Sequence, residues 1–172
     1  MTSVSPVVIA ATARHTATLI FFHGLGDTGH GWASSMSAVR LPHIKVICPT
    51  APTMPVTLNA GFRMPSWFDL RTLDPSGVED EEGIKKAAEM VHSLIAQEVA
   101  AGAAIGNRNT PLLQCHGNCD PIVPYRWGQM TASYLKQFMT QTEFKTYGGM
   151  MHTSCDEEMS DMKKFIEKVL QP

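Results

Sequence analysis

The chain has 172 residues, of which 44% are hydrophobic, and a formal net charge of −2. This length predicts a single domain, and the near-neutral charge provides no basic surface for nucleic acid. No apolar run approaches the roughly 18 residues that cross a bilayer, and residues 1–6 lack the charged start and apolar stretch of a secretory signal. Four cysteines are few for a disulfide scaffold of this size, so we expect a cytoplasmic protein with reduced thiols.

Short apolar runs rich in β-branched and aromatic residues predict five strands. They cover residues 7–11, 17–22, 44–48, 112–115 and 144–147. Apolar residues at helical spacing predict three helices, at residues 79–101, 127–139 and 157–170. Residues 49–69 contain four prolines and little periodicity, so they are expected to form a long loop. Strands that alternate with helices indicate an α/β fold, with a mostly parallel sheet covered on both faces.

Three of the predicted strands are followed by segments that could carry chemistry. Residues 23–27 read His-Gly-Leu-Gly-Asp, residues 116–121 contain Asp120, and residues 148–152 end in His152. Open α/β sheets place their sites beyond the carboxyl ends of the strands. A carboxylate after one strand and a histidine after the next match the later part of a hydrolase triad, in which Asp120 would orient His152 as a general base. The glycine-rich first segment would form an oxyanion hole or only a tight turn.

Four segments, in chain order, resemble the acyl-protein thioesterases. They are residues 23–29 (HGLGDTG), 64–69 (MPSWFD), 115–121 (CHGNCDP) and 151–155 (MHTSC). Members of this family, also called lysophospholipases, are cytosolic α/β-hydrolases that cleave palmitoyl thioesters from proteins without a cofactor or metal. The resemblance therefore implies an α/β-hydrolase fold and a serine hydrolase mechanism.

The resemblance also implies roles for individual residues. Asp120 and His152 take the places of the triad aspartate and histidine, and Leu25 takes the place of one oxyanion-hole N–H donor. A substrate-binding role is implied for three residues of the proline-rich segment, Met64, Trp67 and Phe68, although packing under a loop is the favoured explanation of them. The implied partners are palmitoylated proteins and lysophospholipids, with transient contact to a membrane surface.

The chain departs from the family at the nucleophile. The family carries its serine in a Gly-x-Ser-x-Gly turn between a strand and a helix, and no serine here has glycines at that spacing. Residues 102–111 stand where that unit belongs, and ten residues are too few for a strand, helix and strand, which need on the order of 30. We therefore predict a single domain, residues 1–172, with an internal deletion near 103–111 and no hydrolase activity. Strands 44–48 and 112–115 are expected to border the gap.

Two other interpretations stay open. Zinc could be held by four residues, Cys115, Cys119, His152 and Cys155, although a cysteine inside an apolar strand is commonly a small buried hydrophobe. Alternatively, the chain could be a non-catalytic acyl-binding or regulatory form that keeps the apolar residues of segment 49–69. A replacement nucleophile at Ser154 or Cys155 is disfavoured because neither residue lies in a strained, exposed turn.

Overall fold

A computed structural model of the protein describes residues 4–74, 76–101, 111–137 and 139–170. The chain divides into two compact units, Met1–Ala104 and Ile105–Pro172. The α/β fold class is confirmed, because parallel strands alternate with helices along the chain. The single domain stays a prediction, and the predicted deletion near residues 103–111 falls almost entirely outside the described residues.

The first unit is built on a three-stranded sheet. Its strands are β1 (Val7–Ile9), β2 (Ala17–Ile20) and β3 (Ile44–Cys48), in the order β1-β3-β2. Strand β2 runs parallel to β3 with Leu19 opposite Val46, and β1 runs antiparallel to β3. Strand β3 is therefore interior and largely buried. The expectation that residues 44–48 border a gap is wrong, since β3 is paired on both sides and the edges of this sheet, among the described residues, are β1 and β2.

Helix α1 (Gly29–Val39) is not predicted by the sequence, because its two glycines and three serines have low helix propensity. The tertiary structure overrides that preference. The Thr28 side chain caps the helix by accepting a hydrogen bond from the Gly31 amide, 3.1 Å away. Gly29 lies so close to the carbonyl of Cys48 that a Cβ atom would overlap it. The glycines thus permit a helix to begin directly against the end of β3.

Residues 49–69 are not the long loop that the prolines predict, because they contain an antiparallel hairpin. Strands β4 (Thr53–Val56) and β5 (Phe62–Pro65) pair with Met54 opposite Met64, and a 3-10 turn, Thr57–Asn59, lies between them. Proline has no N–H to donate, which is tolerated in a two-stranded sheet because both strands are edges. The predicted loop is wrong because the number of prolines alone does not show whether their positions in a sheet require an N–H donor.

Helix α2 (Glu81–Ala100) confirms the helix predicted at residues 79–101. Its apolar residues Ile84 and Ile95 are exposed, whereas Glu98 is buried. Glu98 accepts hydrogen bonds from Lys45 Nζ and from Thr18 Oγ1, both at 2.7 Å. The carboxyl-terminal part of the helix therefore contacts β2 and β3 through a polar cluster.

The second unit contains two parallel strands and two helices. Strands β6 (Leu112–Gly117) and β7 (Thr142–Tyr147) pair along their full lengths, and helices α3 (Tyr125–Leu135) and α4 (Asp156–Val169) follow them. All four elements are predicted, although each strand is two residues longer than expected and α3 lies earlier than residues 127–139. None of the helices in the described ranges is long and apolar enough to cross a membrane.

Candidate functional site

The structure brings Asp120 and His152 together. Asp120 follows β6 and His152 follows β7, and Nδ1 of His152 lies 2.9 Å from Oδ2 of Asp120. An ionised carboxylate only accepts hydrogen bonds, so Nδ1 carries the proton and Nε2 is left available as a base. The Asp120 side chain is 7% exposed and that of His152 is 56% exposed. The pair thus consists of a buried carboxylate and an accessible imidazole.

Short contacts between the two loops hold this pair. Gly117, the last residue of β6, lies so close to the carbonyl of Met150 that a Cβ atom would overlap it. The Cys119 amide donates to that carbonyl at 3.1 Å. The Asn118 side chain accepts a hydrogen bond from the Gly149 amide at 2.8 Å. The loops after β6 and β7 are therefore joined by hydrogen bonds next to Asp120 and His152 in the chain.

The Asp120 carboxylate is fixed by its own turn. Its Oδ1 accepts hydrogen bonds from the amides of Ile122 and Val123, at 2.8 and 2.9 Å. Burial acts to raise the pKa of Asp120, but the hydrogen bonds from His152 and from the two amides together lower it below the ordinary range. The carboxyl group is therefore ionised at neutral pH, as an orienting role requires.

In the first unit, the glycine-rich loop after β2 is built around His23, a residue to which the sequence assigns no role. His23 is buried. Its Nδ1 lies 2.7 Å from the carbonyl of Gly24, and its Nε2 accepts from the Ala51 amide at 3.0 Å. A carbonyl only accepts, so Nδ1 carries the proton and the imidazole is neutral. Both ring nitrogens thus serve to fix the main chain of the loop.

Trp67 braces the same loop. Its indole N–H donates to the carbonyl of His23 at 2.8 Å, and the two rings are 5.0 Å apart between centroids. The Phe22 ring meets Trp67 edge-on at 5.2 Å. These contacts assign Trp67 a supporting role in the loop, alongside the substrate-binding role implied by the family resemblance.

Leu25 lies between fixed residues of this loop. The Gly26 amide donates to the Pro65 carbonyl at 2.9 Å, in a backbone conformation with φ of +81° that favours glycine. Asp27 accepts from the Thr28 amide and from the indole of Trp32, at 2.7 and 2.6 Å. No described residue accepts a hydrogen bond from the Leu25 amide. The loop therefore presents this N–H from a rigid main chain.

Met64 and Phe68, the other residues expected to bind substrate, are both half-buried. The sulfur of Met64 would lie 3.6 Å from a Cβ atom at Gly26, so it packs beside the glycine-rich loop. The Phe68 carbonyl accepts a hydrogen bond from the buried Ser66 hydroxyl at 2.6 Å. The Met64 side chain therefore supports the loop, whereas the Phe68 contact is made by its main chain alone.

The zinc hypothesis gains no geometric support. The described ranges contain no group of three or more histidine, cysteine or acidic residues placed to hold a metal ion. Cys115 Sγ lies 3.5 Å from the hydroxyl of Tyr147, and burial raises the pKa of the thiol. The thiol of Cys155 caps α4 by accepting from the Glu158 amide at 3.5 Å. These two cysteines have structural roles within the second unit.

Parallel strands with an aspartate after one and a histidine after the next, preceded in the chain by a glycine-rich loop, define an α/β-hydrolase-type protein. Comparison with known proteins gives the family. The model of the Phospholipase/Carboxylesterase family matches residues 4–110 and 103–170. The chain belongs to this family.

Relatives of known function have similar sequences. Acyl-protein thioesterase 1 of Neurospora crassa is 34% identical over 224 aligned positions, which cover 96% of this chain and 91% of that protein. Acyl-protein thioesterase 1 of Gibberella zeae is 34% identical over 228 positions, covering 98% of this chain and 97% of that protein. Family membership by resemblance is thus confirmed.

Solved structures of similar proteins have the same fold as this chain. Zea mays acyl-protein thioesterase 2 superposes with a TM-score of 0.85 at 27% identity, over 95% of this chain and 97% of that chain. SOBER1 of Arabidopsis thaliana has the same fold, with a TM-score of 0.81 at 23% identity over 91% of this chain and 100% of that chain.

Proposed function

We propose that this chain is a catalytically silent relative of the acyl-protein thioesterases. It keeps the general base, His152, and its orienting carboxylate, Asp120, but has no nucleophile for them to activate. The observation that carries the proposal is the hydrogen bonding of the His152 ring. Among the described residues its one hydrogen bond is made by Nδ1, and no hydroxyl or thiol is bonded to Nε2.

An internal deletion explains the missing nucleophile. The alignment with the Neurospora crassa relative spans 224 positions, more than the 172 residues of this chain, so that relative has positions without a counterpart here. The family model matches in two segments that meet at residues 103–110. No Gly-x-Ser-x-Gly turn occurs anywhere in the sequence. All three observations favour the loss of the strand and helix that carry the serine in such enzymes.

The residues near His152 do not supply a substitute. Ser154 is exposed and lies in a segment without helix or strand. The Cys155 thiol is occupied as the cap of α4. A serine becomes nucleophilic only when a base can reach its hydroxyl in an exposed, fixed turn. His152 therefore has no partner to deprotonate within its own loop.

The ligand class follows from the relatives. Their names specify acylated proteins, and we extend this class to the present chain, together with lysophospholipids, a cytoplasmic location and transient contact with a membrane surface. Leu25 would contribute one N–H toward an acyl carbonyl, and Met64, Trp67 and Phe68 would border the acyl chain. None of these roles requires a cofactor or metal.

A second candidate function is acyl binding without turnover. One observation favours it, namely that Phe62 is 67% exposed and Leu58 is 42% exposed at the end of the β4–β5 hairpin. Contiguous exposed apolar patches mark sites that bind apolar ligands or membranes, and we infer that these two side chains, close in the chain, form such a patch. Titration with a fluorescent fatty-acyl probe tests this function, with Phe62→Ser expected to weaken binding. Val78→Ser, at an apolar residue that is 78% exposed and lies outside the hairpin, is the matched control.

The silent state is tested with a fluorophosphonate probe, which reacts with activated serines. We expect no labelling of the purified chain above that of its heat-denatured form. An active carboxylesterase in the same tube shows that the probe is competent, and the Ser154→Ala variant controls for reaction at the serine nearest His152. A mapped adduct on any serine of the native chain would overturn the proposal.

A further inference from the structure

His116 is a second histidine at the Asp120 carboxylate, and the proposed acid–base pair does not use it. It lies on β6, one residue before Gly117, with 11% of its side chain exposed. Its Nε2 is 2.9 Å from the carbonyl oxygen of Val123 and 3.7 Å from Oδ2 of Asp120. The carbonyl only accepts a hydrogen bond, so Nε2 of His116 carries the proton.

Both main-chain polar groups of Val123 are thereby hydrogen-bonded. Its amide donates to Oδ1 of Asp120 at 2.9 Å, and its carbonyl accepts from His116. The turn that fixes the Asp120 carboxylate is thus tied to β6 by the His116 imidazole. Loss of this bond would untie Val123 from β6 and weaken one of the two amide hydrogen bonds that orient the Asp120 carboxylate toward His152.

The His116 ring is itself immobilised by α3. Gly128 lies so close to the ring that a Cβ atom would overlap Nδ1. The Gly128 carbonyl accepts a hydrogen bond from the Gln114 side chain at 2.9 Å, which ties α3 to β6. The Tyr125 ring meets His116 edge-on with 5.8 Å between centroids. A ring packed on two sides has little rotational freedom, which suits a residue that sets the geometry of another.

We propose that His116 is a positioning residue that holds the Asp120 turn through Val123 and so fixes the tautomer of His152. The inference rests on the proposed function, because it concerns the pair assigned there as base and orienting carboxylate. It is independent of turnover, since its readout is the protonation pattern of the imidazole rings. Labelling by fluorophosphonate would overturn the proposed function, whereas an unchanged His152 tautomer in the His116 variant would overturn only the present inference.

The test compares two amide side chains that differ in reach. The amide nitrogen of glutamine reaches about the position of histidine Nε2, whereas that of asparagine reaches only about the position of Nδ1. We therefore compare His116→Gln with His116→Asn, using His92→Asn on the exposed face of α2 as the matched control. Long-range 1H–15N spectra of the rings, at a pH of about 8 where an ordinary imidazole is neutral, report which nitrogen carries the proton.

We expect a single Nδ1–H tautomer for His152 in the unchanged chain, in His116→Gln and in His92→Asn, and loss of that single tautomer in His116→Asn. A folded His116→Asn variant that retains the pure Nδ1–H form of His152 would overturn the proposal. Should that variant fail to fold, the tautomer of His116 itself, measured in the unchanged chain, tests the proposal. An Nε2–H ring supports the bond to Val123, and an Nδ1–H ring refutes it.

Discussion

Gly117 and Met150 lie in such close contact that the loops after β6 and β7 leave no space for a Cβ atom at residue 117. We predict that Gly117→Ala lowers the free energy of unfolding by about 1–3 kcal/mol, the usual cost of forcing an extra methyl group into a packed site. It should also separate His152 from Asp120, because Met150 must move. Urea unfolding measures the first effect and the His152 tautomer the second.

Gly148→Ala is the matched control for that substitution. Apart from its chain neighbours, no described residue has an atom within 4 Å of a Cβ atom at residue 148, so the free energy of unfolding should stay within about 0.5 kcal/mol of the unchanged chain. An equal loss of stability in both variants would show that the loop tolerates no side chain for reasons other than the contact with Met150.

Asp120→Asn and His152→Ala should leave any residual hydrolysis of acyl thioesters unchanged. Both residues act through a nucleophile, and when the nucleophile of a triad is missing, removal of its partners has little further effect. Hydrolysis of a chromogenic thioester by the three purified chains measures this. A large drop in either variant, from a rate clearly above buffer, would reveal another nucleophile coupled to the pair.

Glu98 should contribute to stability in a pH-dependent way. Burial acts to raise the pKa of its carboxyl group, but hydrogen bonds from Lys45 and Thr18 lower it overall. The contribution is therefore fully present above the unfolded pKa of about 4.3 and is lost as the pH falls through the lower, folded value. We predict that Glu98→Gln lowers the free energy of unfolding by roughly 1–3 kcal/mol at pH 7, and by less at pH 3.

Urea unfolding at both pH values checks this prediction. Other carboxyl groups with lowered pKa values, such as that of Asp161, also weaken the fold in acid, so the informative quantity is the difference between the variant and the unchanged chain. Glu81→Gln, at an exposed position in the first turn of α2, serves as the control. A difference between Glu98→Gln and the unchanged chain that does not shrink at low pH would contradict the ionic explanation.

We expect the isolated chain to be marginally stable and to aggregate. In the part of the chain that the structure describes, strands β2 and β6 each have one side without a hydrogen-bonded neighbouring strand, and exposed rows of backbone N–H and C=O groups are templates for pairing with other chains. The exposed apolar residues of α2 add to this tendency. Calorimetry and light scattering check the prediction, and a cooperative melt above about 55 °C from a soluble monomer, within the ordinary mesophile range, would contradict it.

Much of the fold can be predicted because the spacing of apolar residues within each segment indicates its secondary structure. Helix α2 shows helical spacing over its whole length, and β3 is apolar except for Lys45. The order of Asp120 and His152 after successive strands also predicts their contact, since parallel strands bring their carboxyl ends to the same edge. These features depend on the pattern of each segment and on chain order alone.

Other features depend on contacts between distant residues, and only the tertiary structure decides them. Helix α1 can begin against the end of β3 only because Gly29 has no side chain to overlap the Cys48 carbonyl, a constraint invisible in a glycine-rich sequence. The β4–β5 hairpin tolerates its prolines because its edges need no further donors. His116 acquires its place at Asp120 through Val123, since a hydrogen bond to the main chain depends on where the turn lies and not on which side chain it carries.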